Sequence, residues 1–227
     1  MSPSKFFHST RKIIGAGVNY KEILRLTNAP KPAAPVIFFK PISSLLDGQD
    51  KGEDPSSAIP TIRVPRVFDG VINFEAELGV IIGSRCSNVS PEQAMAYVGG
   101  YCLALDMTGM DFIMEARPKG LPWCLGKGFD TSTPVSGFIT SAQLPNPDNV
   151  RVWCDVNGVR KQDDSTCNLI FPIAELIAYV SRYMTLEPND LLLTGTPAGG
   201  GPVRHGDVIE CGLGEGLVTM RCAVADE

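Results

Sequence analysis

The chain is predicted to fold as a β-rich α+β protein, and three observations carry that expectation. Nine short apolar, β-prone runs recur along it, each bounded by Gly, Pro or Asp. One pair, Asn157-Gly158, sits between VRVWCDV and VRKQ as a two-residue hairpin turn should, because both positions tolerate positive φ. Convincing helical starts are confined to two places.

Taken in order, the runs are KIIGAGV, PVIFFK, FEAELGVIIG, YCLALDM, VSGFIT, VRVWCDVNGVRK, LLLTGT, DVIECGL and LVTMRCAV. A short helix is expected over PEQAMAYV, with Ser90 as N-cap and Glu92 and Gln93 in its first turn. A longer one starts near Pro172, where Ile173, Leu176, Ile177 and Val180 recur at helical spacing. LLDGQDKGEDPSSAIP, rich in Asp, Gly, Ser and Pro, reads as a solvent-exposed insertion between strands. Residues 1–11 form an N-terminal extension, and residues 12–227 are expected to make one domain, since no linker long enough to divide them occurs.

Composition narrows the function. A chain of 227 residues with 44% hydrophobic content can bury a large core. Its net charge of −5 offers nothing to a nucleic acid, and no apolar run approaches the roughly 20 residues of a spanning helix. The expectation is a soluble protein with neither nucleic acid nor membrane as partner. Seven cysteines without CxxC spacing read as small buried hydrophobes in a reducing compartment, hence an intracellular protein that is not secreted. The start, MSPSKFFHSTRK, has basic and hydroxyl residues but no acids, so both cytoplasm and mitochondrial matrix stay open. No GxSxG or GxxxxGK[ST] motif occurs, and the only histidines are His8 and His205, which excludes a histidine-rich metal centre.

The run VINFEAELGVIIG carries two carboxylates, Glu75 and Glu77, on one side of what reads as a single strand. Adjacent carboxylates in apolar surroundings repel each other, so one takes up a proton or both share a cation; the alternative is a strand edge whose acids face water. A third acid, Asp106, ends the apolar YCLALDM run. All-oxygen ligands of this kind suit Mg²⁺, Mn²⁺ or Ca²⁺ rather than zinc or copper. Lys127 lies between glycines in LPWCLGKGFD, and Thr194 and Thr196 flank Gly195 in LLLTGTP. Taken singly, Asp106 is as well read as a cap, Lys127 as a surface charge and the threonines as turn formers.

Together, FEAELGVIIG, GGYCLALDMT, GLPWCLGKGFD, LLLTGTPAGGGPV and GDVIECGLGEGLV resemble the fumarylacetoacetate hydrolase family, its short acylpyruvate hydrolase and oxaloacetate decarboxylase branch in particular. The resemblance runs from Lys12 almost to the C-terminus. It implies a mixed β-roll with a few peripheral helices, a homodimer, and Glu75, Glu77 and Asp106 as Mg²⁺ ligands, with Mn²⁺ and Ca²⁺ as other admissible ions. It implies that Lys127 contacts a bound oxo acid, with Asn19, Tyr20 and Thr196 among the substrate-binding residues. The activity implied is metal-dependent acylpyruvate hydrolysis or oxaloacetate decarboxylation on small 2-oxo or 2,4-dioxo acids, through an enolate that the metal stabilises.

Four positions depart from the family pattern. The lid after Asn19-Tyr20 carries Ile23 and Leu26 where the branch has a histidine and a glutamate that orient water, and the stretch after Asp106 has Met110 and Ile113 in place of an arginine and a glutamine. Ile23 and Leu26 also read as the packing stripe of a helix, and Glu22 is the expected substitute base. Two further expectations follow: an oxaloacetate keto-enol tautomerase, which needs no activated water, and a catalytically degenerate relative that binds metal and oxo acid.

Overall fold

The computed structural model describes residues 9–49, 59–69 and 71–227. The strands of the described residues are β1 (Ile13–Gly17), β2 (Val36–Lys40), β3 (Leu45–Asp47), β4 (Thr61–Val64), β5 (Val71–Phe74), β6 (Ala76–Ile82), β7 (Val98–Leu105), β8 (Thr133–Val135), β9 (Arg151–Val156), β10 (Val159–Ser165), β11 (Leu191–Leu193), β12 (Gly201–Arg204), β13 (Val208–Leu213) and β14 (Val218–Asp226). The helices are α1 (Lys21–Thr27), α2 (Pro91–Ala94), α3 (Met110–Lys119), α4 (Cys124–Lys127) and α5 (Ile173–Ser181). No described helix is long and apolar enough to cross a membrane.

The strands form a mixed, β-rich α+β roll, as expected. A seven-stranded sheet runs β2-β1-β11-β6-β7-β8-β3, a five-stranded sheet β10-β9-β13-β14-β4, and β12 pairs with β5 as a separate ribbon. Strand β6 lies inside the larger sheet with all seven residues buried, which is why its sequence is apolar almost throughout. Strand β9 instead alternates, burying Val152, Cys154 and Val156 and turning Arg151, Trp153 and Asp155 outward. These inward residues join Leu78, Leu103, Leu105, Ile209 and Cys222 in one core. Five of the seven cysteines are buried and all seven are free, in keeping with their reading as small hydrophobes.

Turn and cap chemistry follows the sequence closely. Asn157 and Gly158 adopt φ of 51° and 76° between β9 and β10. Ser90 and Gln93 form a capping box on α2, which passes into a 3-10 turn ending at Tyr97. Helix α5 buries Ile173, Leu176, Ile177 and Val180 and packs against α2.

Other expectations are corrected. The acid-bearing run is two strands: β5 pairs with β12, the chain passes to the larger sheet at Glu75, and β6 begins at Ala76. In the supposed insertion, Leu45–Asp47 is strand β3, paired parallel with β8; residues 50–58 lie outside the described residues, as do residues 1–8 of the expected extension. In VSGFIT only Val135 belongs to a strand, and Ile139 makes an isolated bridge to Tyr101. Helix α3 was not anticipated, because Pro118 near its end and a weak apolar stripe of Met110, Ile113 and Ala116 mask it.

Candidate metal and substrate site

Strand pairing assembles the site. Because Ala76 faces Leu105 across the antiparallel β6 and β7, the residues just beyond that pair, Glu75 and Asp106, emerge side by side, and the Asp106 amide donates to the Glu75 carbonyl at 2.8 Å. Glu77 follows one residue into β6. The three carboxylates each place an oxygen within 4.8 Å of the others. Glu77 and Asp106 are buried, and the Glu75 side chain is 16% exposed toward a cleft.

Two ammonium groups face these acids. Lys127, the last residue of α4, donates to Glu75 Oε2 at 2.9 Å, Asp106 Oδ2 at 2.5 Å and Thr108 Oγ1 at 2.7 Å, so all three of its protons are used. Its ammonium is buried, not the surface charge that Lys127 reads as when taken singly, and the flanking glycines let α4 press close to Gly109 and Pro41. Lys40, at the end of β2, donates to Asp106 Oδ1 at 2.6 Å and the Met107 carbonyl at 3.2 Å with no exposure of its side chain. Among the described residues, Glu77 accepts only a backbone bond, from Gly195 at 2.6 Å. That glycine has φ 103°, and a side chain on it would strike Asn19.

The electrostatics separate the acids. Burial pushes Glu77 well above the usual carboxylate range, and Asp106 and Glu75 push it further. Burial also raises Glu75, partly opposed by Lys127. Burial works on Asp106 in the same direction, but Lys127 and Lys40 outweigh it and hold the carboxyl below its ordinary value. Burial would lower Lys127, yet Asp106 and Glu75 keep it firmly protonated, whereas burial leaves Lys40 below the usual lysine value. Fully ionised, three carboxylates against two ammonium groups leave negative charge that a divalent cation would neutralise.

The donor set fits such an ion. Oxygens on opposite sides of Mg²⁺ stand about 4.2 Å apart and around Ca²⁺ about 5 Å, so ligand atoms within 4.8 Å of one another require little rearrangement. Beside the acids opens a cleft of about 530 Å³, lined by the polar Glu75, Lys127 and Thr108 and by the apolar Ile23, Leu26, Phe38, Met110, Ile113 and Trp123.

The other sequence-predicted residues lie less directly at the cleft. Thr196 lines it, but its hydroxyl donates to the Ala76 carbonyl at 2.8 Å and accepts from Gln162 at 2.7 Å. Asn19 is buried and bonds to the backbone of Phe171 and Thr194, fastening β1 to the turn after β11. Tyr20 is also buried, with its hydroxyl unpartnered among the described residues and its acidity weakened by burial. Glu22 pairs with Arg25 at 2.5 Å on the outer side of α1, and that bond lowers its proton affinity. Ile23 is partly buried against the core whereas Leu26 is 62% exposed, so only the Ile23 half of the expected packing stripe is formed.

Two contributors escaped the sequence reading. Lys40 had one faint signal, a lysine closing an apolar strand. Gln162 had none: a β-bulge between Arg160 and Gln162 turns it inward, where it bonds the Ala76 amide, Thr196 and the Pro197 carbonyl.

A mixed β-roll that gathers three carboxylates and a buried lysine at the base of a half-apolar cleft defines a protein equipped for a hard divalent cation and a small anionic ligand. Residues 12–225 match the family model described as fumarylacetoacetate (FAA) hydrolase C-terminal, and the chain belongs to the fumarylacetoacetate hydrolase family. It is 42% identical over 211 residues to the mitochondrial oxaloacetate decarboxylase of Dictyostelium discoideum, covering 92% of each chain. It is 40% identical to the mitochondrial oxaloacetate tautomerase FAHD1 of Homo sapiens, covering 96% of this chain and 93% of that one. Among solved structures, the fumarylpyruvate hydrolase from Pseudomonas aeruginosa in complex with Mn²⁺ and pyruvate superposes with a TM-score of 0.84 at 29% identity, over 96% of this chain and 91% of that chain.

Proposed function

We propose that the protein is a Mg²⁺-dependent enzyme acting on small 2-oxo acids, with oxaloacetate as the first substrate to test. The observation that carries this reading is the Glu75, Glu77 and Asp106 cluster bridged by the Lys127 ammonium at the base of a cleft. Those three carboxylates would hold the ion, which supplies Lewis-acid polarisation of a 2-oxo acid. Mn²⁺ and Ca²⁺ are compatible with the same oxygen donors. Lys127, kept charged by its acidic neighbours, would hold the substrate's anionic oxygen as negative charge develops there by turning to it one of the three N–H groups it now gives to Glu75, Asp106 and Thr108. The turn at Thr196, fixed by Gln162, closes one side of the cleft and limits how substrate can lie.

Ile23 and Leu26 favour decarboxylation or keto-enol exchange over carbon-carbon hydrolysis, since neither can accept a proton from water. Glu22 is the nearest alternative base in the sequence of α1, but it would have to leave Arg25 to act. The names of the Dictyostelium and human relatives support the same chemistry and a mitochondrial setting. We further propose that residues 12–227 work as a single domain, in a homodimer.

The test is an assay of the purified chain on oxaloacetate and on acetylpyruvate with Mg²⁺, following carbon dioxide, pyruvate and enol absorbance separately. Turnover of oxaloacetate that chelation abolishes is expected. A silent trace on both substrates would leave only a ligand-binding relative.

A further inference from the structure

Asp106 is held by two ammonium groups that differ in their freedom. Lys127 lines the cleft, whereas the side chain of Lys40 has no exposure at all. Strand β2 alternates, so Phe38 and Lys40 share its buried face on either side of the exposed Phe39, and pairing of Lys40 with Ile13 fixes the strand end that carries it. From there the Lys40 ammonium donates to Asp106 Oδ1 at 2.6 Å and to the Met107 carbonyl at 3.2 Å. Leaving either acceptor would strand a buried charge, so it stays where it is. The two oxygens of Asp106 are therefore unequal: Oδ2 is bonded to a lysine that can turn toward a ligand in the cleft, and Oδ1 to one that cannot. Glu77 is restricted in a similar way, because its Oε2 accepts from the Gly195 amide at 2.6 Å. Glu75, partly exposed at the cleft, is the acid with room to turn.

We infer that Lys40 is a positioning residue that sets which cation the acids accept: by holding Oδ1 it makes Asp106 a one-oxygen ligand, and so favours Mg²⁺ or Mn²⁺ over Ca²⁺. This rests on the proposed metal reading of Glu75, Glu77 and Asp106. Mg²⁺ takes an octahedron of oxygens at about 2.0–2.1 Å and is satisfied by one oxygen from each carboxylate, with water completing its shell. Mn²⁺ suits the same octahedral oxygen set. Ca²⁺ gathers about six to eight oxygens at about 2.3–2.6 Å, and drawing both oxygens from a carboxylate is one of its ways to reach that number. A positive charge fixed on Oδ1 repels a cation from that side of Asp106 and denies the larger ion its extra ligand. Lys40 would touch the ligand and not the ion, and residues placed so change metal affinity by roughly 10- to 100-fold when replaced.

Calorimetric titration of Mg²⁺, Mn²⁺ and Ca²⁺ into the metal-free full chain, at one fixed pH, tests this. Losing any nearby positive charge strengthens binding of every divalent ion, so the ratio of affinities is the readout, not their size. Wild type should bind Mg²⁺ at least as tightly as Ca²⁺. Lys40→Met, which fills similar space but cannot donate, should strengthen Ca²⁺ relative to Mg²⁺ about tenfold. Lys40→Leu takes its place if that variant does not fold. Lys127→Met removes an ammonium from the cleft side of the same acids and should raise both affinities with little change in their ratio. Wild type that prefers Ca²⁺, a ratio unmoved by replacing Lys40, or an equal movement in Lys127→Met would overturn the assignment. If wild type binds none of the three ions, the metal reading itself falls, and this inference with it.

Discussion

Glu77 is the residue on which the charge balance of the cleft turns. It is buried, has one backbone donor and no ammonium of its own, and so prefers to be protonated in the metal-free protein. Its folded value is raised above the ordinary 4.5, so the folded state holds the proton more tightly than the unfolded chain, and the stabilisation is full at low pH. It is lost as pH rises from 4.5 through the raised value. Metal-free protein should therefore lose thermal stability over that window, while the gain on adding Mg²⁺ should grow with pH, because the ion takes the proton's place. Glu77→Gln should flatten both trends in a thermal melt and abolish tight Mg²⁺ binding. Unaltered pH dependence in that variant would remove Glu77 from the site. The acids were legible in the sequence because carboxylates interrupting apolar runs conflict with burial. Lys40 and Gln162 were not, since a single basic or amide residue in a strand carries no such conflict and only strand register and a bulge aim them inward.

At the scale of elements, the break between β5 and β6 separates local pattern from topology. The β-rich class, the Asn157-Gly158 hairpin and both expected helices could be read from turn chemistry and periodicity. What could not be read is that Glu75 is where the chain passes from the β12 ribbon to the seven-stranded sheet, because partner choice depends on strands far away in sequence. Likewise β3 (Leu-Leu-Asp) and β12 (Gly-Pro-Val-Arg) are short segments adjoining turn-forming residues, made strands by their neighbours. Helix α1 is the element most open to redesign: it buries no residue, yet Ile23 and Leu26 reach the cleft. Ile23→His combined with Leu26→Glu should raise acylpyruvate hydrolysis at least tenfold, toward the roughly 10²–10⁴ that a positioned general base supplies. Oxaloacetate turnover, measured in parallel, should change much less. If wild type already hydrolyses acylpyruvates faster than it processes oxaloacetate, another residue activates the water, and Glu22→Gln is the variant to make next.

At the scale of the whole molecule, large apolar side chains remain exposed: Phe39 in β2, beside Leu121 in one hollow, with Ile42 just after β2 and Leu125 in α4, the last at 73%. A second copy covering them would account for their chemistry. Sedimentation should show a dimer in wild type, and Leu121→Asp with Leu125→Asp should weaken it if this face is used; a monomeric wild type would end the homodimer proposal. The lysines give a last consequence. Lys127 and Lys40 already neutralise much of the buried acid, so this chain carries its own counter-ions from the moment it folds. Unlike a small zinc domain, which is unfolded without its ion, it can reach and keep its native shape before any metal arrives. On the proposed metal-dependent reading, a cell short of divalent cations would hold a normal amount of this protein in an idle form, restored by supply alone without new synthesis.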